Sequence, residues 1–298
     1  MQFPLCILQE IPKNPAKTFE LMISFGVAYY AKSIKEFTMQ DIMRQLMYDY
    51  YRNQKVLSNK MIAIIENNVE IDEDYNGFSG EKFYPFLDCS GESLEKILNE
   101  YPELRNESIE NYKIHMAAEF YNLNHIDRTQ KIKEVSTLQL KHESMHGKQP
   151  MPSVNTELLF SFRDNPQNIE LFMAYAAIKS LIGQGKFTGT CRQVIVMRMI
   201  GAKSKDALGY ALKDKTLKKI YDKYFNRYWF DKLLNELLSR NFLKSKLGFK
   251  RKIYLSTKYD FNELPIEVAK LIKSKDMKSK EKQAKKELLQ QLYNTTSI

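Results

Sequence analysis

The segment from Asn226 to Thr257 constrains the fold more than any other part of the chain. It reads NRYWFDKLLNELLSRNFLKSKLGFKRKIYLST. Leu233, Leu234, Leu237, Leu238 and Phe242 recur at helical spacing and make one apolar stripe, so the spacing predicts a helix over 226–241 with a single buried face. Asn241 stands where that helix would close in a left-handed turn. Two short runs follow, FLKSK and KRKIYLS, joined by a Leu-Gly-Phe tip at Leu247-Gly248. Ile253 and Leu255 alternate with Lys252, Tyr254 and Ser256, the period of a half-buried strand. A helix, a tight turn and a hairpin thus stand in series, and the hairpin carries Lys244, Lys246, Lys250, Arg251 and Lys252.

Charge is distributed unevenly around this segment. The chain of 298 residues has a net charge of +10. Residues 151–298 hold 29 Lys and Arg against 14 Asp and Glu, a net +15, whereas residues 1–150 hold 17 against 22, a net −5. Duplex DNA is a dense line of phosphates, and each Lys or Arg that replaces a condensed counterion gains affinity by ion release. A basic half joined to a slightly acidic one suggests that one domain holds nucleic acid and the other something else. Charge alone fits a solvated basic protein equally well. The helix followed by a basic hairpin favours nucleic acid.

That order resembles a winged helix, the fold in which one helix enters the DNA major groove and a hairpin wing holds the backbone. The resemblance implies that Asn226, Arg227, Tyr228, Asp231 and Lys232, on the first turns of the helix, reach base edges. Arg227 is the foremost candidate for a guanine or phosphate contact. Trp229 and Phe230 read as core. The wing cations would contact phosphate and carry no sequence information. A second stretch competes for the recognition role: Ile-Gly-Ala-Lys-Ser-Lys at 200–205 resembles the turn of a helix-turn-helix, with Gly201 permitting the change of direction and Ser204 capping a helix over 204–213.

Elsewhere the periodicity predicts a mainly α chain. Residues 1–17 read as extended, with Pro4, Pro12 and Pro15. A helix from Phe19 to Ile34 follows, then one capped by Thr38 with Asp41 as its reciprocal partner, then one capped by Ser58. The acidic stretch VEIDEDYNGFSGEKFYPF, with Asn76-Gly77 as its turn, completes a second possible winged helix over 19–86. Glu70, Asp72, Glu73 and Asp74 would repel phosphate there, so this half points to a protein partner or a homodimer. Helices around Leu94–Leu98 and Ile109–Phe120 flank Pro102. The polar stretch 128–155 reads as a linker between a helical domain (1–127) and a winged-helix domain (156–272). The second domain opens with a helix over Ile169–Ile182, a strand at Phe187-Thr188 and a helix capped by Thr190. A basic tail, 273–298, closes the chain, and its stretch from about Ser274 to Leu292 reads as a Lys-rich helical segment with few apolar positions, frayed or a flexible arm.

One enzyme motif competes with this picture. His142-Glu143-Ser144-Met145-His146 is a literal HExxH, which on a helix places two imidazoles on one face for zinc and a glutamate beside the metal-bound water. Gly147 and Pro150 follow at once, and only Glu157 and Glu170 are close third-ligand candidates. Phosphate-loop, dinucleotide, nucleophile-elbow and CxxC motifs are absent. Three scattered cysteines fit thiols in a reducing cytoplasm, no apolar run approaches the roughly 18 residues of a membrane span, and the N-terminal stretch lacks signal-peptide features.

The sequence therefore predicts a mainly α, two-domain cytoplasmic protein whose C-terminal winged helix-turn-helix binds double-stranded DNA, with no cofactor and no membrane partner. Length, basicity and a possible tandem of winged helices resemble the replication initiators of plasmids and phages, which implies origin binding and dimerisation. A transcriptional regulator of similar build is the near alternative. The rivals from other classes are a zinc metalloprotease using His142 and His146, and a mobile-element structural protein that meets nucleic acid non-specifically.

Overall fold

Local capping chemistry sets the first helices. Helix α1 spans Pro15–Ala31, α2 Met39–Arg52 and α3 Asn59–Asn68. Pro15 opens α1 at the position where a missing N–H costs least. At the start of α2, Thr38 Oγ1 accepts from the Asp41 N–H at 3.2 Å while the Asp41 carboxylate accepts from the Thr38 N–H at 2.8 Å, the expected reciprocal cap. Donation from the Thr38 N–H, and from the Thr38 hydroxyl at 2.7 Å, holds the Asp41 carboxyl below the usual carboxylate range. Ser58 Oγ accepts from Met61 N–H at 3.3 Å and caps α3. Residues 94–100 are helical, and α4, Pro102–Phe120, begins at the expected break. Ile42, Leu46, Ile65, Leu98 and Leu104 form the centre of the core that these helices share.

The computed structural model describes residues 1–52, 57–68, 94–121, 123, 128–166, 168–249 and 251–295. The acidic stretch 69–86 expected to complete a second winged helix lies outside the described residues, as does Lys250.

Two connecting segments differ from expectation. Residues 1–17 are not extended throughout: Leu5–Gln9 forms a 3-10 helix, and Phe3, Leu5, Cys6, Ile7, Leu8 and Ile11 have no exposed surface. Dense apolar composition outweighs the scattered prolines, because burying these side chains requires a compact conformation. Residues 128–155 are not a linker as a whole either. Helix α5 covers Arg128–His146, with Val135 and His142 buried, and ends at Gly147 in the left-handed region (φ 69°). A polar sequence holds a helix here because its few buried positions, seven residues apart, fall on one face.

The contacts divide the chain into two compact units, with bounds other than those read from the sequence. One comprises Met1–Phe3, Ala16–His142 and Asn155–Asp164, and the other Pro4–Pro15, Glu143–Val154 and Asn165–Ile298. The N-terminal 3-10 segment thus belongs with the C-terminal elements, and α6, Thr156–Asp164, belongs with α1, where Phe162 stacks on Phe19 at 6.3 Å.

The second unit carries α7 (Ile169–Ile182), β1 (Phe187–Thr190), α8 (Arg192–Met199), α9 (Lys205–Ala211), α10 (Lys215–Phe225), α11 (Arg227–Ser239), β2 (Ser245–Phe249), β3 (Lys252–Ser256) and α12 (Glu263–Thr295). The strands make an antiparallel sheet in the order β1-β3-β2. Its register pairs Phe187 with Ser256 and Phe249 with Lys252. Cys191 rather than Thr190 is the N-cap of α8, with no side-chain bond. Ser204 caps α9 as expected, accepting from Ala207 N–H at 3.2 Å. No described helix is long and apolar enough to cross a membrane.

The hairpin does not turn at the expected tip. Leu247 and Gly248 sit inside β2, opposite Tyr254 and Ile253. Leu247 packs with Tyr254, Leu264 and Val268, and this burial against α12 extends the strand past the glycine. The expected boundary between domain and basic tail at residue 273 falls inside a helix, since α12 runs unbroken from the sheet-packed Leu264 through the lysine-rich helical tail.

Candidate nucleic-acid interface

Helix α11 divides cleanly into two faces. Phe230, Leu233, Leu234 and Leu237 are buried, and the helix packs on α7 and α10 through them. Its C-terminus closes as the sequence predicts. Asn241 takes φ 61°, Phe242 N–H bonds Leu237 carbonyl at 2.9 Å, and Asn241 N–H bonds Leu238 carbonyl at 3.0 Å. That pair of bonds is a Schellman closure, and it turns the chain directly into β2.

The outward face carries the expected site residues in different roles. Asn226 ends α10 and caps α11, its Oδ1 accepting from Tyr228 N–H at 2.9 Å, so it sets where the helix begins. Arg227 is 87% exposed as a side chain and faces Asp231 at 3.5 Å, an exposed pair one turn apart. Tyr228 is 67% exposed. Lys232 lies over the Trp229 ring at 5.4 Å, and Lys223 lies 5.7 Å from the same ring.

Trp229 itself corrects the expectation of a core residue. Phe230 is buried, but Trp229 is 41% exposed and meets Tyr228 edge-on at 5.3 Å. The two lie on neighbouring positions 100° apart, so the stripe that buries Phe230 turns Trp229 outward. With Phe225, also exposed and 5.5 Å from the Arg192 guanidinium, they form an aromatic and cationic surface at the start of α11. Behind it, Glu170 accepts from Lys223 Nζ at 2.6 Å and from the Tyr224 hydroxyl; burial first, then this carboxylate, raises the Tyr224 hydroxyl.

The hairpin joins the same surface. Lys246 Nζ donates to Asn235 Oδ1 on α11 at 3.0 Å, and Lys244 Nζ donates to Asn241 Oδ1 at 2.9 Å. Arg251 in the turn and Lys252 at the start of β3 are exposed. On the other side of the sheet Tyr254 packs over Gly189, whose Cβ would stand 2.5 Å from the ring. Only glycine fits beneath that ring, and the close approach holds β1 against β3.

Sequence reasoning missed α10, although its signal is present. Asp214 accepts from Thr216 and Leu217 N–H groups as its N-cap, and Leu217, Ile220 and Tyr224 recur at helical spacing as its buried face. Its exposed side adds Lys215, Lys218 and Lys219. The competing turn is real: Gly201 has φ 70° between α8 and α9. A Cβ there would lie 2.8 Å from Gln9 Cγ and 3.2 Å from the Leu5 and Cys6 carbonyls, so this turn is packed against the N-terminal segment.

The HExxH histidines stand on the last turns of α5, which removes the linker account of them. His142 is buried, and the half-buried His146 ring lies 5.8 Å from Tyr210. Glu170 is engaged by Lys223 and Tyr224, and Glu157 lies in the first turn of α6. Among the described residues no group of three or more His, Cys, Asp or Glu side chains could hold a metal ion.

Comparison with known proteins found no matching family model, no matching curated protein and no matching solved structure.

Proposed function

We propose that this chain binds double-stranded DNA with sequence preference, using its second unit as a winged helix-turn-helix in which α11 is the recognition helix and β2–β3 the wing. The order helix, strand, helices, two-stranded hairpin, with the first strand paired to the last, supports the winged-helix assignment. A replication initiator or a transcription regulator of plasmid or phage type fits this build, with the first unit left for a homodimer or another protein partner.

The observation that carries the proposal is the bond between Lys246 and Asn235. It sets the basic hairpin beside the exposed face of α11, so base-reading side chains and phosphate-holding cations share one surface. Arg227, Tyr228 and Lys232 supply hydrogen-bond donors at the helix start, and Lys244, Lys246, Arg251 and Lys252 supply charge. We favour α11 over α9 because the turn before α9 is packed against Leu5, Cys6 and Gln9 and no hairpin follows α9.

Selection of bound duplexes from a random pool tests the proposal. Enrichment of a defined site that the full chain prefers over its scrambled version supports it, and recovery of an unenriched pool contradicts it.

A further inference from the structure

Helix α12 continues well beyond the body of its unit. Up to Lys285 its last buried residue is Val268, Leu271 and Ile272 are half-buried, and every residue from Lys273 to Lys285 is exposed. A helix of that composition has no packing reason to exist there, so the arrangement of its charges is informative. At 100° per residue, Lys275, Lys278, Lys282 and Lys285 fall within an arc of about 80°. Between residues 273 and 287 no acidic residue falls inside that arc, and Glu281 lies about 40° outside it. Asp276 and Glu287 lie on the opposite side together with Lys273 and Lys280, so that side is balanced.

The lysine face begins at the hairpin. Lys275 lines a groove of about 430 Å³ together with Phe249, Arg251, Lys252, Leu271 and one carboxylate, Asp276. Arg251 and Lys252 of the hairpin outnumber Asp276 there and share the groove with Lys275, and from Lys275 the other lysines of the face run outward along α12.

We propose that the Lys275, Lys278, Lys282 and Lys285 face of α12 is a second phosphate-contacting surface, which carries the hairpin's grip further along the backbone of duplex DNA. It rests on the DNA-binding reading above. Between Lys275 and Lys285 the helix rises about 15 Å, and duplex DNA presents one phosphate for about every 1.7 Å of its axis, so each ammonium finds a partner. Lysine, a flexible point charge, suits backbone contact without base readout. An anionic membrane is the poorer partner, because Met277 is the one large apolar side chain over 273–285 and insertion needs an apolar face.

Two double variants of the full chain separate this face from general charge. Lys278→Gln with Lys282→Gln removes two charges from the lysine face, and Lys273→Gln with Lys280→Gln removes two from the opposite side. Glutamine keeps helix propensity, and far-ultraviolet circular dichroism checks it. On duplex DNA the first pair is expected to lose about tenfold in affinity or more at low salt and to lower the salt slope by about two. The second pair is expected to change affinity less than about twofold. Equal losses from both pairs, or no loss from the first while the parent chain binds, overturn the proposal and leave the α11 reading standing. A parent chain that does not bind duplex overturns both. Loss of binding to phosphatidylserine vesicles without loss on duplex also overturns it, in favour of a membrane.

Discussion

Lys246 on β2 donates its ammonium to the amide oxygen of Asn235 on α11 at 3.0 Å, which ties the hairpin to the solvent face of the helix before it. The Schellman closure at Asn241 leaves little freedom between the two elements, so the bond forms with small entropic cost. Stability gains little from such an exposed contact. Its consequence is geometric, since it fixes which cations lie beside Arg227, Tyr228 and Lys232.

Helix and hairpin should separate in mutagenesis. Arg227→Ala is expected to cost about 1–3 kcal/mol at a preferred site and much less on scrambled duplex, the mark of a lost base contact. Arg251→Gln with Lys252→Gln should weaken all sequences alike and lower the salt slope by about two. Arg227 has only an exposed ion pair to lose, so the fold should survive its removal. Equal losses from both variants on scrambled DNA would show that α11 does not read bases.

Trp229, the one tryptophan of the chain, offers a direct optical probe. It is 41% exposed with Lys223 and Lys232 near its ring, and DNA on α11 would change both its hydration and its cation contacts. Its emission should change on titration with duplex and saturate at the same concentration as a gel shift. Unaltered emission through saturation would place the DNA on another surface.

Gly201 tests the unexpected role of the N-terminus. Alanine there must adopt φ 70° and bring its Cβ to 2.8 Å from Gln9 Cγ. Gly201→Ala is expected to cost about 1–3 kcal/mol in urea unfolding. A neutral result would mean that the Leu5–Gln9 segment does not pack against this turn.

Asp49 gives the first unit a pH signature. It is buried, and burial lifts its carboxyl to about 7 against a lowering bond from Gln45. In the unfolded chain it titrates near 4. The protonated form is favoured in the fold, so its contribution is complete below about pH 4 and is lost as pH rises through about 7. Asp49→Asn keeps the acceptor for Gln45 and should raise stability by about 1–3 kcal/mol at about pH 8, with little change near pH 4. A variant less stable than the parent at pH 8 would contradict this, and thermal melts at the two pH values decide it.

What the sequence made legible was whatever depends on near neighbours. Thr38 with Asp41, Ser58, Ser204 and Asn241 all do what their positions suggest, because a cap or a helix closure needs partners only a few residues away. The hairpin was visible from its alternation, but its turn was not, since the pull of Leu247 toward Leu264 and Val268 comes from a helix farther along the chain. The 3-10 segment at Leu5–Gln9 and helix α5 were hidden for the same reason, as each depends on burial by remote elements. Trp229 was misplaced because an apolar residue beside a buried one looks buried too until the helix phase is known. The tail was legible as a Lys-rich helical segment, and its lysine face follows from helical phase, but its continuity with the sheet-packed turn at Leu264 was not.

The central claim is that α11 and the hairpin hold a preferred duplex. The most direct test is the dissociation constant of the full chain for its selected site and for a scrambled duplex, measured over a series of salt concentrations. The expected result is preference for the selected site by about a thousandfold or more, with affinity falling steeply as salt rises. Equal constants for the two duplexes, or affinity that does not respond to salt, would contradict it.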